Sequence, residues 1–249
     1  MSTTRIEVFD DADALSRAVA GELLARLEAA QAGGGSPQVA LTGGSIAERI
    51  HAALGEAGPR SEVDWGRVVV WWGDERFVAP DSAERNALDA RRSFLDRVGV
   101  PDAHVHEVAA TDTTATVGDA AAAYAEAIRE HGSGAFEVVM LGIGPDGHCA
   151  SLFPGHPALD VADAITVAVR ESPKPPPERV SLTFEALNRS RAVWFVASGE
   201  EKAEAVARAL ADDGDLHETP ARGVTGLPDV DGSPTEVVWF LDRPAASRL

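Results

Sequence analysis

Runs of apolar residues alternate along the chain with segments in which apolar residues recur every three or four positions. The runs predict buried strands, and the periodic segments predict helices that pack one face on a core. The predicted strands are 38–41, 68–72, 104–108, 136–141, 165–169, 192–197 and 236–241. The predicted helices are 13–31, 45–54, 83–97, 117–131 and 200–211. Asp13 is the expected N-cap of the first helix, and the glycines at 33–35 end it.

This alternation predicts an α/β fold with a mostly parallel sheet and helices on both faces. The strand at 68–72 lacks polar alternation, as expected of a strand covered on both faces. We find no internal repeat, and the proline-rich stretch 173–177 is too short to separate two domains. One domain over residues 1–249 is therefore expected. In open sheets of this kind, ligands bind beyond the carboxyl ends of the strands, at the point where the strand order reverses.

Composition limits the classes of partner. The chain has 249 residues, with 40 acidic and 22 basic side chains and a formal net charge of −18. This excess of acid argues against binding to nucleic acid or to anionic membranes, because like charges repel. Cys149 is the one cysteine, as is typical of a reducing compartment. No signal sequence or membrane-spanning stretch is evident, so a cytoplasmic protein is expected. An anionic ligand would need cations gathered at its site.

The first candidate motif is Thr42–Glu48, directly after a predicted strand. Gly43 and Gly44 would let backbone N–H groups approach a ligand, and a helix N-terminus behind free amides is a ready anion site. Ser45 and Glu48 have the spacing of a capping box, so Ser45 is the expected N-cap of the next helix. The local sequence alone favours the alternative, an ordinary glycine turn into a capped helix.

The second motif is Trp72–Arg76, at the end of the strand 68–72. Asp74 and Glu75 are suited to positioning a substrate, and Arg76 is suited to binding a phosphate through two parallel hydrogen bonds. The alternative is a solvated charged turn that Asp74 caps.

The third motif is Leu141–His148, after the strand 136–141. Its glycines match the dinucleotide fingerprint G-x-G-x-x-G, but Pro145 interrupts the loop and the match lies past mid-chain. We interpret it as coincidental, which argues against a dehydrogenase. The loop instead presents Asp146 and His148 two residues apart. Histidine is the usual general base near neutral pH, and a neighbouring carboxylate fixes its tautomer. The alternative is a structural histidine.

The fourth motif is Ser172–Ser181, in which four prolines surround two cations. Prolines stiffen the backbone and so fix where Lys174 and Arg179 point. Two cations on a stiff loop would suit a phosphate clamp in this acidic chain. The alternative is a semi-rigid surface connection with solvated charges.

Other candidates are weaker. Cys149 adjoins His148, but adjacent side chains usually point apart and a free cysteine is most often a small buried hydrophobe. His104 and His106 alternate along a predicted strand without a third ligand at a recognisable spacing, so no metal site is expected. Ser151 lacks the strand–elbow–helix signature of a hydrolase serine.

Together the four motifs resemble the 6-phosphogluconolactonases, and they occur in the order expected of that family. The most specific are Gly142–Gly155 and Ser172–Ser181. Glucosamine-6-phosphate deaminases share a similar Gly-x-Asp-Gly-His loop, but theirs continues into an Asn-Glu-Pro type of sequence where this chain has Ser-Leu-Phe-Pro. They also lack the Lys-Pro-Pro segment. One departure is Arg85-Asn86, where many lactonases have Ser-Asn.

The resemblance implies a Rossmann-like parallel sheet with a small appended sheet region, the fold shared by glucosamine-6-phosphate deaminases and ribose-5-phosphate isomerase. It implies no cofactor and no required metal. The implied reaction is hydrolysis of 6-phosphoglucono-1,5-lactone in the oxidative pentose phosphate pathway. His148 would activate water, Asp146 would orient His148, and Arg76 or the backbone amides of the glycine loop would stabilise the oxyanion. The implied substrate-binding residues are Gly43, Gly44, Ser45, Asp74, Lys174 and Arg179, with Arg76 also available to the phosphate.

Two rival functions remain at the level of sequence. One is an isomerase or deaminase of the same fold that acts on an amino-sugar phosphate. The other is a noncatalytic sugar-phosphate sensor, which would normally carry a DNA-binding segment; no spare basic region or helix-turn-helix is visible here. The sequence is compatible with a monomer and does not determine the oligomeric state.

Overall fold

The structure is a computed structural model that describes residues 3–226 and 235–249. In this part of the chain the strands are β1 Thr3–Phe9, β2 Gln38–Leu41, β3 Val69–Trp72, β4 Asp74–Arg76, β5 Val138–Gly142, β6 Thr166–Val169, β7 Arg179–Leu182, β8 Ala192–Ala197 and β9 Glu236–Asp242. The α-helices are α1 Ala12–Ala32, α2 Ser45–Ala57, α3 Asn86–Ala90, α4 Asp96–Val98, α5 Val117–His131, α6 Phe184–Asn188 and α7 Ala203–Leu210. A π turn over Arg91–Leu95 joins α3 to α4. None of the described helices is long and apolar enough to cross a membrane.

Six strands form a parallel sheet in the order β1-β9-β8-β5-β2-β3. Its central strands are buried along their whole length because helices cover both faces. Side chains of α1, α2 and α3 pack on one face, and those of α5 and α7 pack on the other. The expected α/β fold with a mostly parallel sheet is confirmed.

The remaining three strands form a separate antiparallel sheet in the order β4-β7-β6. The chain passes from β3 to β4 through a single residue, Gly73. The alternative of a solvated charged turn at 74–76 is therefore wrong: this segment is a strand, and Asp74 caps no turn there. Side chains alternate along a strand, so Asp74 and Arg76 share one face while Glu75 points to the other. A small sheet region of this kind is what the family resemblance implies.

Several helix starts differ from the predictions. Asp11, not Asp13, caps α1, because its carboxylate accepts from the Ala14 amide. Gly44, not Ser45, is the N-cap of α2, and no side chain caps that end. The expected helix over 83–97 starts at Asn86, because the buried Glu75 carboxylate accepts the Asn86 and Ala87 amides and fixes the first turn there.

The predicted strands also need correction. Arg179, expected on the stiff proline loop, instead begins the strand β7, because this segment pairs with β4 and β6. The segment 104–108 forms no strand: Asp102–His104 is a 3-10 turn, and only Val105 bridges to Val70 on β3. The strand β1 was not predicted, because it lies at the sheet edge and its Ile6 and Val8 side chains are exposed. An edge strand of this kind lacks the buried pattern that identifies the others.

The strand order places the loops after β2 and β5 side by side. From β2 the chain moves outward to β3, and from β5 it moves the opposite way to β8 and β9. The order therefore reverses between β2 and β5, where the following loops diverge and leave a crevice. Two of the four candidate motifs follow these two strands.

Candidate active site

A cleft of about 280 Å³ lies at the carboxyl ends of β2 and β5. It brings together residues from all four motifs of the sequence analysis. Its lining includes Thr42, Gly43, Gly44, Asp74, Arg76, Asn86, Gly142, Gly144, His148, Lys174, Arg179 and Lys202. Ser45 does not line it: the side chain is exposed at the first turn of α2. Asp146 reaches the cleft indirectly, through its contact with His148.

The histidine and the aspartate of the third motif form a close pair. His148 Nδ1 lies 2.6 Å from Asp146 Oδ1, and the His148 side chain is 16% exposed. The loop turns tightly after β5, since the Gly147 amide donates to the Gly144 carbonyl and the Gly144 amide donates to that of His148. No helix follows it, so the glycines do not form a dinucleotide-binding turn.

Lys174 completes this cluster from the proline loop. Its Nζ lies 3.4 Å from Asp146 Oδ1 and 3.2 Å from His148 Nδ1. Partial burial opposes ionisation of the Asp146 carboxyl, but the hydrogen bond from His148 and the charges of His148 and Lys174 outweigh it and hold the pKa of Asp146 well below its usual range. Asp146 is therefore a carboxylate at neutral pH, and His148 donates to it from Nδ1.

Four cations line the cleft. Arg76 on β4 and Arg179 on β7 are direct partners across the small sheet. Two like charges in this arrangement repel, so this end of the cleft is strongly positive. Burial lowers the pKa of Arg179, and the charge of Asp74 opposes that shift. Lys174 and Lys202 add charge from two further loops.

Lys202 is the site residue that the sequence analysis missed. It lies in a 3-10 turn at Glu200–Lys202, shortly after the carboxyl end of β8, whereas the predicted helix over 200–211 gave it no special place. Burial lowers its pKa, as does the charge of Lys174. One signal was available: the chain contains only two lysines, Lys174 and Lys202, and both line this cleft.

Arg76 is held in place from one side. Its Nη1 donates to the Glu84 carbonyl at 2.6 Å and to Asn86 Oδ1 at 2.7 Å. Its Nε is buried and has no hydrogen-bond partner in residues 3–226 and 235–249. A buried donor without an acceptor is costly, so this nitrogen is suited to an anionic ligand. Asn86 therefore orients a cation of the cleft. Asn86 itself matches the lactonase pattern, and only its neighbour Arg85 departs from it.

Two acidic side chains of the second motif have different environments. Asp74 lines the cleft, and its Oδ2 accepts from the Ser151 hydroxyl at 2.6 Å. Glu75 points away and is fully buried, where it accepts from the backbone amides of Arg76, Asn86 and Ala87. Burial raises the pKa of Glu75, against the opposing charge of Arg85. Asp74 is therefore placed to meet a ligand, whereas Glu75 fixes the start of α3.

The two glycines of the first motif occupy positions that other residues could not. A β-carbon on Gly43 would lie 1.8 Å from Asn86 Oδ1, and Gly44 has a φ of +98°. Only glycine therefore lets the loop pass so close to Asn86 and turn into α2. With Gly44 as N-cap and no side-chain cap, the first amides of α2 face the neighbourhood of the cleft.

Cys149 is fully buried, as predicted. Burial, with the charge of Asp74, raises the pKa of its thiol well above the usual range. The thiol is thus inert as a nucleophile at neutral pH. Across the described residues, no group of three His, Cys, Asp or Glu side chains has an arrangement that could hold a metal ion.

Comparisons with known proteins identify the family. The model for "Glucosamine-6-phosphate isomerases/6-phosphogluconolactonase" matches residues 10–238. The chain is 40% identical over 256 residues to the 6-phosphogluconolactonase of Streptomyces coelicolor, covering 99% of this chain and 95% of that protein. It is 38% identical over 254 residues to that of Mycobacterium tuberculosis, covering 99% of both.

Solved structures agree with the sequence relatives. The 6-phosphogluconolactonase of Trypanosoma brucei superposes with a TM-score of 0.85 at 27% identity, over 100% of both chains. A monomeric glucosamine-6-phosphate deaminase shares the fold, with a TM-score of 0.80 at 16% identity over 98% of this chain and 100% of that one. The expected fold and the expected enzyme class, a carboxylic-ester hydrolase, are confirmed. The chain belongs to the family of glucosamine-6-phosphate isomerases and 6-phosphogluconolactonases.

Proposed function

We propose that the protein hydrolyses 6-phosphoglucono-1,5-lactone to 6-phosphogluconate in the cleft at the carboxyl ends of β2 and β5. The observation that carries the proposal is the His148–Asp146 pair, 2.6 Å apart, in the same cleft as four cations. A general base beside an anion-binding surface suits an ester whose far end is a phosphate. The names of the relatives agree with this substrate.

His148 acts as the general base. Asp146 accepts the hydrogen of Nδ1 and so leaves Nε2 as the basic nitrogen, which takes a proton from water as the oxygen attacks C1 of the lactone. The tetrahedral intermediate then collapses with cleavage of the bond between C1 and the ring oxygen. The imidazolium returns its proton to that leaving oxygen, and the new carboxylic acid ionises to the product. Asp146 stabilises the imidazolium while it exists.

The oxyanion that forms at C1 needs hydrogen-bond donors. Arg76 and the backbone amides of the glycine loop are the candidates, because both lie at the cleft and need little rearrangement. Asp74 is placed to accept from sugar hydroxyls. The phosphate is held by Lys174 and Lys202 together with the amides at Gly43, Gly44 and Ser45.

The reaction requires only a modest rate acceleration from the protein. The lactone is an activated ester that also hydrolyses unaided, so positioning and one general base, worth roughly 10²–10⁴-fold, are enough. The site accordingly offers a base and its orienting carboxylate. Within the described part of the chain, the neighbouring Cys149 and Ser151 side chains are fully buried and so are not exposed to a substrate as nucleophiles.

The test presents two substrates to the purified protein. Freshly prepared 6-phosphogluconolactone is followed through 6-phosphogluconate formation, above spontaneous hydrolysis, and glucosamine 6-phosphate is followed through release of ammonia. We expect rapid turnover of the lactone and no ammonia. Ammonia release without lactone turnover would replace the proposal with the deaminase reading, and binding without either product would replace it with a sensor.

A further inference from the structure

We propose that Arg179 is a positioning residue for the catalytic pair rather than a ligand of the phosphate. The inference deepens the proposed function and rests on it for its kinetic consequence. Its observation is that two of the three guanidinium nitrogens of Arg179, Nε and Nη2, donate to the proline loop. Nε donates to the Pro176 carbonyl at 3.2 Å, and Nη2 donates to the carbonyls of Lys174 and Pro175, both at 3.1 Å.

These bonds brace the loop that carries Lys174. The loop is also closed at its base, where the Ser172 amide donates to the Pro177 carbonyl at 2.9 Å. The Ser172 hydroxyl donates to the Lys174 carbonyl, so that carbonyl accepts from two sides. The backbone of Lys174 is therefore fixed by Arg179, and its ammonium group is thereby brought to Asp146 and His148.

A second contact runs from Arg179 to His148 through an aromatic ring. The Arg179 guanidinium carbon lies 5.5 Å from the centre of the Phe153 ring. The same ring packs against the His148 imidazole, with 4.6 Å between centroids. Phe153 is fully buried, so it transmits the position of the guanidinium to the imidazole by packing.

Arg179 is thus connected to His148 in two ways. It donates to the Lys174 carbonyl, and the Lys174 ammonium contacts His148. It also packs on the Phe153 ring, which contacts the same imidazole. Arg179 is only 5% exposed, so little of its surface is left for a ligand. Lysine cannot replace it, because a single ammonium on a flexible stem lacks the planar fork that reaches three carbonyls and stacks on a ring.

The kinetic test compares Arg179→Lys, which keeps the charge, with Arg179→Gln, which removes it. A positioning role predicts that both lower kcat by about 10- to 100-fold, because a displacement near 1 Å costs that much, while KM stays within about threefold. Phe153→Leu, which leaves every cation in place, should lower kcat in the same way. In a Lys174→Met background, Arg179→Lys should cost less than its effect in the wild type, since the two residues act in series.

The result that overturns the inference is a raised KM at unchanged kcat in Arg179→Gln, with rescue by Arg179→Lys, because that pattern belongs to a phosphate ligand. Additive losses in the Lys174→Met background would also contradict it. Circular dichroism checks that each variant is folded, and Phe153→Leu supplies the test if Arg179→Gln is not.

A measurement without substrate separates this inference from the proposed function. The ring nitrogens of His148 are observed by NMR in the free protein and assigned with His148→Gln. Arg179→Lys should shift the His148 signals and leave unchanged those of His51, which lies on α2 and pairs with Asp89. Unmoved His148 signals would refute the positioning role, whether or not the wild type hydrolyses the lactone; a wild type inactive on the lactone would refute the proposed function alone.

Discussion

The imidazole of His148 lies directly over the α-carbon of Gly144. A β-carbon on that glycine would be 2.0 Å from His148 Nδ1 and 2.3 Å from Asp146 Oδ1. The catalytic pair therefore occupies the space that any other residue at 144 would fill. The glycines of this loop, which suggest a dinucleotide site by spacing alone, make room for a base and its carboxylate instead.

This relationship predicts that Gly144→Ala displaces His148 and lowers kcat by about 100-fold, as expected for a shift near 1 Å. Gly21→Ala on α1 is the control, because a β-carbon there meets nothing within 4 Å and the residue does not line the cleft. Steady-state kinetics on the lactone measure both. Equal activity of the two variants would show that His148 is free to move without loss.

Lys202 is predicted to bind the ground state and the transition state alike. Lys202→Met should raise KM about tenfold at nearly constant kcat, since a charged hydrogen bond contributes about 1.5–3 kcal/mol and solvent screens part of it. Arg67→Met is the control, because it also removes one positive charge. Arg67 lies just before β3, at the amino ends of the parallel strands, whereas the cleft lies at their carboxyl ends. A KM unchanged in Lys202→Met would remove this lysine from the phosphate site.

Asp146 predicts a specific dependence of stability on pH. Its pKa is depressed in the folded protein by His148 and Lys174, against the effect of burial. Its contribution to stability is therefore fully present above the unfolded pKa and is lost as the pH falls toward the folded one. The difference in Tm between the wild type and Asp146→Asn should be constant from about pH 7 to 5 and should narrow below about pH 4. A difference that already narrows near pH 6 would contradict this assignment.

The surroundings of His106 predict a second dependence of stability on pH, closer to neutral pH than that of Asp146. Its ring stacks between Trp71 and His131, at centroid distances of 4.2 and 4.9 Å. Burial, then the charges of His131 and His104, lower the pKa of His106. Its contribution is thus present above the unfolded pKa of about 6.5 and is lost as the pH falls below it. Thermal melts should show a smaller loss of Tm between about pH 7.5 and 5.5 in His106→Gln than in the wild type. Equal losses would contradict the prediction.

Much of the site was predictable because it lies at strand ends. The strands β2 and β5 are apolar throughout and easily recognised, and the carboxyl ends of parallel strands meet at one edge. The loops after them therefore had to converge, and His148, Asp146 and the glycines at 43 and 44 follow from that rule. Lys174 of the proline loop and Arg179 of β7 reach the same cleft, as expected.

The other features of the fold and the site depend on contacts between segments that are distant in sequence, and a local sequence pattern does not show these contacts. The segment 74–76 consists only of charged residues and resembles a turn, yet it becomes a strand because β7 pairs with it and the buried Glu75 finds three amides and Arg85. The alternation over 104–108 resembles a strand, but after Val105 the His106 ring stacks on Trp71 instead. Lys202 was overlooked because its turn was assigned to a helix.

If His148 is the general base for lactone hydrolysis, its replacement by glutamine should slow the chemical step while substrate binding is kept. The initial rate of 6-phosphogluconate formation from freshly prepared lactone is compared for the wild type and His148→Gln, after subtraction of spontaneous hydrolysis. We predict a kcat lower by roughly 10²–10⁴-fold in the variant, with KM within about threefold of the wild type. A near-normal kcat in His148→Gln would contradict it.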